Sequence, residues 1–326
     1  MSDETNRPSV QLAEALVTVA AVSARSESRV TLAVVRVVLV LVACGLVVAA
    51  GVGGTLVGGA GRRDRPAITT VYPATAPRGV IATSGGWAYC SQVIGLAQRF
   101  GYTLLCGRYD KDGFVGPGLR SRRRLDWGDP RYLASFADEI AALHRTVGGS
   151  LILIGVSYSG FDVATLASHH PELRPERLIV IDSYLDLVAR RRALPSSHPT
   201  ARDIDEETGG SEAALRQRSV SVDGLTRLLE HGTRLTVIWS VSAHERYRFH
   251  GATCDRSANA LTISELAQRL RRPIEAWVTD SHYHGHDFWD HQGQIFEGHY
   301  PGRKVTFEPS GATPAGAVCA SVAVSS

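Results

Sequence analysis

The chain has 326 residues, enough for one domain of about 250 residues and a separate N-terminal segment. Its 35 lysine and arginine residues against 32 aspartate and glutamate residues give a formal net charge of only +3, which argues against a nucleic-acid-binding protein. The five cysteines form no CxxC pair and no cluster with histidine at metal-ligand spacing, so no metal ion is expected.

Residues 37–59 form an uncharged apolar stretch. At about 1.5 Å per residue this stretch can cross a hydrocarbon core of about 30 Å, and arginines flank it on both sides. It therefore predicts a single transmembrane helix, although the arginines do not fix its orientation. A cleaved secretory signal is one alternative, and the run ending at Cys44 also resembles a lipoprotein processing box.

We therefore expect four segments: an N-terminal segment (1–36), a transmembrane helix (37–59), a linker (60–75) and one large domain (76–326). The four cysteines outside the apolar stretch and the position of the anchor near the N-terminus favour export of the large domain. The prediction is a single-pass membrane protein whose large domain lies outside the cytoplasm. Sequence alone does not give the pairing of the cysteines.

The large domain alternates strand and helix patterns, which is typical of an α/β fold with a mostly parallel sheet and helices on both faces. Between Asp182 and Leu235 the polarity is mixed and helical pieces occur, which predicts a small cap at about 185–232. The predicted strands are residues 79–83, 102–106, 151–154, 177–181, 235–239 and 274–279, and the predicted helices are residues 90–100, 132–147, 161–169 and 261–270.

The run GVSYSG, from Gly155 to Gly160, lies between an apolar strand and a helix. A sharp turn at a serine needs small residues two positions before and two positions after it, and Gly155 and Ser159 meet this need for Ser157. If Ser159 were the nucleophile, the bulky Phe161 would occupy one of these positions. Ser157 is therefore the predicted nucleophile. An ordinary strand-to-helix turn with a capping serine is the alternative.

This run resembles the G-x-S-x-G signature of the α/β-hydrolase fold superfamily, with Ser159 in place of the second glycine. The resemblance implies a serine hydrolase in which two backbone N–H groups bind the oxyanion. By position, Tyr158 supplies the first N–H, and Gly86 or Trp87 in the SGGW turn supplies the second.

The resemblance also implies a histidine base after the last core strand and a carboxylate that orients it. Several histidines follow residue 280; His286 is the predicted base and His284 the alternative. No aspartate stands at the usual point after strand 235–239. Glu245 is the nearest carboxylate and is the predicted acid, whereas Asp182, at the end of the preceding strand, is the alternative.

A triad of Ser157, Glu245 and His286 would cleave an ester-type bond, in a carboxylic ester, lipid or thioester, through an acyl-enzyme. The expected partners are a small-molecule or lipid ester and the membrane, and no cofactor is implied. The missing acid at the usual point and the crowd of histidines favour one alternative from another class. This is a non-catalytic α/β-hydrolase-like domain that binds a ligand or partner at the cell envelope.

Overall fold

The computed structural model describes residues 55–56, 67–85, 87–109, 126–241, 258–279 and 286–318. These residues belong to the second of two units in the chain, which begins at Thr55. In the described part of the chain, no helix has the length and apolar character needed to cross a bilayer. The predicted transmembrane segment 37–59 lies outside the described residues except for Thr55 and Leu56. These two residues form a strand, so a helix in this segment must end before Thr55.

The described strands form one sheet in the order β1-β2-β4-β3-β5-β6-β7-β8-β9. Neighbouring strands from β4 through β3 to β8 are parallel, whereas β1 and β2 at one edge and β9 at the other are antiparallel. The strands are β1 Thr55–Leu56, β2 Ala67–Tyr72, β3 Gly79–Thr83, β4 Thr103–Tyr109, β5 Ser150–Val156, β6 Arg177–Ile181, β7 Arg234–Ser240, β8 Ile274–Thr279 and β9 Arg303–Phe307.

The start of the large domain is a correction to the sequence prediction. Strand β2 lies inside the predicted linker 60–75, and it pairs along its length with β4. Its backbone hydrogen bonds therefore belong to the sheet, and the domain begins before residue 76.

The described helices connect the strands and cover both faces of the sheet. They are α1 Trp87–Phe100, α2 Pro130–Val147, α3 Tyr158–His169, α4 Leu187–Arg192, α5 Pro199–Thr208, α6 Glu212–Arg218, α7 Val222–Glu230, α8 Asn259–Leu270 and α9 His286–Glu297, and a short 3₁₀ turn spans Pro171–Leu173.

The core has two layers because side chains of a strand alternate between the faces of the sheet. On β5, Leu151 and Leu153 belong to the layer that also contains side chains of α2, α3, α7 and α8. Ile152 and Ile154 belong to the opposite layer, with side chains of α1 and α9. Both faces of the central strands are thus buried, which explains their nearly continuous apolar sequences.

The helical insertion between β6 and β7 is smaller than the predicted cap at about 185–232. Helices α4 to α6 contribute to a separate apolar cluster with Trp127 and Tyr158. Helix α7, in contrast, packs in the main core, and its Gly224 touches the backbone of α3, where an added Cβ would overlap the Ser168 carbonyl oxygen. The cap therefore consists of α4 to α6, and α7 is the crossover helix that precedes β7.

One disulfide joins the first helix to the neighbouring strand. Cys90 on α1 and Cys106 on β4 are bonded, with their Cα atoms 5.7 Å apart, and both side chains are buried. This distance lies in the usual range for a disulfide. The structure thereby assigns one pairing that the sequence left open, whereas the other three cysteines lie outside the described residues.

Candidate functional site

Ser157 occupies a strained turn between β5 and α3. Its backbone has φ +56° and ψ −125°, in a region that residues other than glycine rarely adopt. The N–H of Ser157 donates to the carbonyl oxygen of Ile181 at 2.9 Å, which ties the turn to β6. The surrounding strands therefore hold Ser157 in this conformation, as expected where strain accompanies function.

Close backbone packing explains the small residues around the turn. A Cβ at Gly155 would overlap the carbonyl oxygen of Ser159, and a Cβ at Gly160 would lie 2.8 Å from the Cβ of Ser183. Glycine is therefore needed at positions 155 and 160. Position 159 has room for a serine, whose hydroxyl lies 2.9 Å from that of Thr83.

Exposure distinguishes the two serines of the motif. Ser159 is buried, with 1% of its surface exposed, whereas Ser157 is partly exposed. The hydroxyl of Ser157 makes no capping hydrogen bond to α3 among the described residues, which removes the interpretation as an ordinary capping serine. Phe161 packs against Tyr184 with ring centroids 4.9 Å apart, so this bulky residue belongs to the apolar core.

The two predicted oxyanion donors lie at the same edge of the sheet. Tyr158 is the first residue of α3 and Trp87 is the first residue of α1. These helices follow β5 and β3, which are parallel neighbours. Both helix N-termini, with their partial positive charge, therefore start at the carboxyl edge of adjacent strands. Gly86 lies outside the described residues.

Asp182 lies at the same edge, directly after β6. It is buried, and its backbone φ is +46°. Its N–H donates to the Ile238 carbonyl oxygen at 2.7 Å, and its Oδ1 accepts from the N–H of Ser240 at 3.4 Å. The carboxylate therefore joins the ends of β6 and β7. Glu245, the predicted acid, follows β7 and lies outside the described residues.

His286, the predicted base, is the first residue of α9. It follows the end of β8 at Thr279, on the edge of the sheet that also carries Ser157. His284, the alternative base, lies outside the described residues. His291 is one turn further along α9, where its Nδ1 lies 3.0 Å from Oε1 of Gln294. The described backbone thus gives the order of the site along the sheet, with Ser157 after β5, Asp182 after β6 and His286 after β8.

A buried polar network lies beneath the turn that begins at Ser84, and sequence analysis did not identify it. The hydroxyl of Ser84 hydrogen bonds to Oδ2 of Asp162 and to the phenol of Tyr132. Asp126 lies beside Asp162, and at most 1% of any of these four side chains is exposed. They come from three separate parts of the chain, so no local motif marks them.

Burial shifts the acidity of this network. Burial raises the pKa of Asp162 to about 6, although the hydrogen bond from Ser84 offsets part of the rise. Burial, followed by the nearby charge of Asp162, raises the pKa of Asp126 well above its usual value. Burial and the two carboxylates also raise the pKa of Tyr132. At neutral pH the phenol is therefore protonated, and the two carboxyls do not both ionise easily.

Aromatic side chains connect the elbow, which is the strained turn at Ser157 between β5 and α3, to the cap. The ring of Trp127 packs edge-on to that of Tyr158 at 5.4 Å and stacks against that of Tyr184 at 6.3 Å. Nε1 of Trp127 donates to Asp203 on α5 at 2.6 Å. The guanidinium of Arg190, on α4, lies 5.2 Å from the centre of the Tyr184 ring. The cap therefore rests on the residue that directly follows Ser157.

Among the described residues, no group of three or more His, Cys, Asp or Glu side chains is arranged to hold a metal ion. No protein-family model and no curated protein sequence matches this chain.

Several solved structures resemble the chain in fold. The acylaminoacyl peptidase of Pyrococcus horikoshii is 13% identical, with 71% of this chain and 38% of the peptidase covered and a TM-score of 0.49. An α/β-hydrolase superfamily protein from Enterococcus faecalis is 16% identical, with 75% and 94% covered and a TM-score of 0.43. An esterase of Pyrococcus furiosus is 12% identical, with 71% and 84% covered and a TM-score of 0.40.

The fold itself follows from the topology. A mostly parallel sheet in the order β2-β4-β3-β5-β6-β7-β8 has helices on both faces and a serine in a strained turn after β5. This arrangement is the α/β-hydrolase fold, and it confirms that part of the fold class predicted from the sequence, whereas the predicted N-terminal transmembrane helix stays a prediction.

Proposed function

We propose that this chain is a serine hydrolase that cleaves an ester-type bond through an acyl-enzyme on Ser157. The observation that carries the proposal is the conformation of Ser157, a partly exposed serine held at φ +56° between a buried strand and a helix N-terminus. Strain of this kind costs about 1–3 kcal/mol and persists where the surrounding structure enforces it. A serine that only links two elements would not need it.

The proposed steps use the residues that the sequence assigns to the site. The Ser157 hydroxyl attacks the substrate carbonyl while His286 takes its proton. The N–H of Tyr158, with one from Gly86 or Trp87, stabilises the oxyanion of the tetrahedral intermediate. His286 then protonates the leaving group, and a water molecule releases the acyl group from Ser157.

We propose Glu245 as the acid that orients the histidine. In the described structure, Asp182 bonds the N–H of Ser240 and joins two strand ends, which supports a structural role for this carboxylate. Asp182 remains the second candidate because it lies at the correct edge and is buried.

The proposed substrate is a carboxylic ester, lipid or thioester, bound beside Ser157 at the carboxyl edge of the sheet. The rings of Trp127, Tyr158 and Tyr184 are buried against one another and against the cap, so they support the turn at Ser157 from behind. We further propose that the apolar stretch predicted at 37–59, up to the strand that begins at Thr55, anchors the chain in a membrane, so that the hydrolase acts close to a lipid surface.

A fluorophosphonate probe tests the nucleophile directly, because it reacts with activated serines. We expect labelling of the wild-type chain, complete loss of labelling in Ser157→Ala, and labelling of Ser159→Ala, whose missing hydroxyl is buried. Labelling lost only in Ser159→Ala would contradict the assignment of Ser157. A folded wild-type chain that does not react would favour the non-catalytic binding domain.

A further inference from the structure

Ser84 connects the SGGW turn, which would supply an oxyanion donor, to α3, the elbow helix that follows Ser157. Ser84 directly follows β3 and is the first residue of the SGGW turn. Its hydroxyl has one proton and two partners, the carboxylate of Asp162 and the phenol of Tyr132. Since an ionised carboxylate can only accept, Ser84 donates to Asp162 and Tyr132 donates to Ser84. The direction of both hydrogen bonds is thus fixed when Asp162 is ionised.

A second contact joins the same two elements. The hydroxyl groups of Thr83 and Ser159 lie 2.9 Å apart, and both side chains are buried. Ser159 and Asp162 are three positions apart on α3 and therefore lie on one face of the helix. Two successive residues at the end of β3 are thus bonded to the first two turns of the helix that follows the nucleophile. These contacts link the two places that would supply the oxyanion donors.

Asp126 determines how many negative charges the buried pair of Asp126 and Asp162 carries. Both carboxyl oxygens of Asp126, and Oδ1 of Asp162, are buried and accept no hydrogen bond from another described residue, and the two carboxyls lie close enough for a proton on one to bond the other. Two ionised carboxylates buried side by side repel each other strongly, so one of them keeps a proton. Because Ser84 donates to Asp162, the negative charge belongs on Asp162 and the proton on Asp126.

Other charged groups border the pair on the segment before α2 and on the cap. Asp129 lies near Asp126 and forms an ion pair with Arg131 at 3.2 Å. Nη1 of Arg218, on α6, donates to the backbone oxygen of Asp126 at 3.0 Å. This contact holds the backbone of Asp126 and leaves its carboxyl without a cationic partner among the described residues. Two tyrosines are the other titratable groups at the pair: Tyr132, and Tyr158, whose phenol oxygen accepts from the N–H of Asp126 at 3.1 Å.

We propose that Asp162 is a positioning residue, which fixes the turn beginning at Ser84 against the elbow helix while Asp126 holds the pair at one negative charge. Asp162 touches no substrate; it acts through Ser84 on the backbone that would supply the second oxyanion donor. The effect on turnover depends on the proposed hydrolase function, whereas the fixing of the turn does not.

Hydrogen exchange measured by mass spectrometry tests the positioning without any substrate. In the full chain, Asp162→Ala and Ser84→Ala should accelerate exchange of the peptide that covers residues 84–90 by at least about tenfold, a loss of local protection confined to this turn. Asp162→Asn should keep wild-type protection, because the amide oxygen still accepts from Ser84. Thr165→Val is the matched control, since Oγ1 of this buried residue on α3 has no hydrogen-bond partner among the described residues.

The catalytic consequence is measured on the same variants. We expect Asp162→Ala and Ser84→Ala to lower kcat for a small activated ester, and the rate of fluorophosphonate labelling, by at least about tenfold with KM changed less than about twofold. Asp162→Asn should stay within about threefold of wild type. Should Asp162→Ala not fold, Ser84→Ala carries the same comparison.

The outcomes separate the two proposals. The positioning role is supported if exchange at residues 84–90 is faster in Asp162→Ala or Ser84→Ala and returns to the wild-type rate in Asp162→Asn. This holds even if no variant is active. Unchanged exchange there, or an equal increase throughout α3 and β3, overturns it. A wild-type chain that neither hydrolyses esters nor labels at Ser157 contradicts the hydrolase proposal, and the exchange result alone then decides the role of Asp162.

Discussion

Replacing Asp162 by asparagine should change how the stability of the fold depends on pH. Burial raises the pKa of Asp162 from 3.8 to about 6, so the folded state binds a proton that the unfolded state has already released over this interval. At about 1.4 kcal/mol for each tenfold change in proton affinity, the difference corresponds to about 3 kcal/mol. A raised pKa means that this stability is present below about pH 4 and is lost as the pH rises through about 6.

Asparagine does not titrate, so the variant should keep the stability that the wild type loses. We expect the two proteins to unfold alike near pH 4, and the variant to be more stable at pH 7 by up to about 3 kcal/mol. Removal of the Asp162 charge also relieves Asp126, whose pKa it raises, and this effect has the same sign.

Urea unfolding of the full chain, followed by tryptophan fluorescence, is a suitable assay because Trp127 and Trp239 are buried. Wild type, Asp162→Asn and a control, Asp138→Asn, which removes an exposed carboxylate from α2, are compared at several pH values. If the free energy of unfolding depends on pH in the same way in all three proteins, the reasoning is refuted. Burial of the Asp162 carboxylate would then not be what destabilises the fold at pH 7.

Three further predictions concern the acid, the domain boundary and the disulfide. In steady-state kinetics with a small ester, Glu245→Gln should lower kcat by at least about a hundredfold and Asp182→Asn by less than about tenfold, and the reverse result would make Asp182 the acid. Removal of residues 1–54 should release a soluble domain with a cooperative melt, and aggregation of that domain would count against the boundary. Peptide mapping without reduction should recover Cys90 linked to Cys106, and a map that recovers the two peptides unlinked would contradict the bond. Serine at both positions should lower the free energy of unfolding by about 3 kcal/mol.

The central strands could be predicted from the sequence because their burial on both faces makes them apolar throughout. Strands β6 and β8 begin and end at the predicted residues. The edge strands β1, β2 and β9 were not predicted. They are short or mixed in polarity, as in RKVTF for β9, and only pairing with a neighbour makes them strands. The sequence pattern within such a segment gives little indication that it will pair with a neighbouring strand.

Part of the candidate site could likewise be predicted from the sequence, and part could not. Ser157 was predictable because the elbow needs particular small residues at fixed local spacing, although the structure places the tight approach at Gly160 as well as Gly155. The contact between Ser84 and Asp162 could not be predicted, since the two residues are 78 positions apart and each belongs to an ordinary local pattern. The positions of Glu245 and His284 stay predictions.

Helix α3 has glycine contacts at both ends of its run across the core. Gly160 meets Ser183 near its start, and Gly224 of α7 meets Ser168 near its end. Gly160 lies against the Cβ of Ser183 and Gly224 against the backbone of Ser168, so the helix cannot slide or tilt to absorb a larger side chain. Tolerance to substitution should therefore differ sharply between positions that lie only a few ångströms apart. Even alanine should be rejected at Gly160 and Gly224, whereas exposed positions such as Gly209 at the end of α5, where an added Cβ would meet nothing within 4 Å, leave room for a side chain.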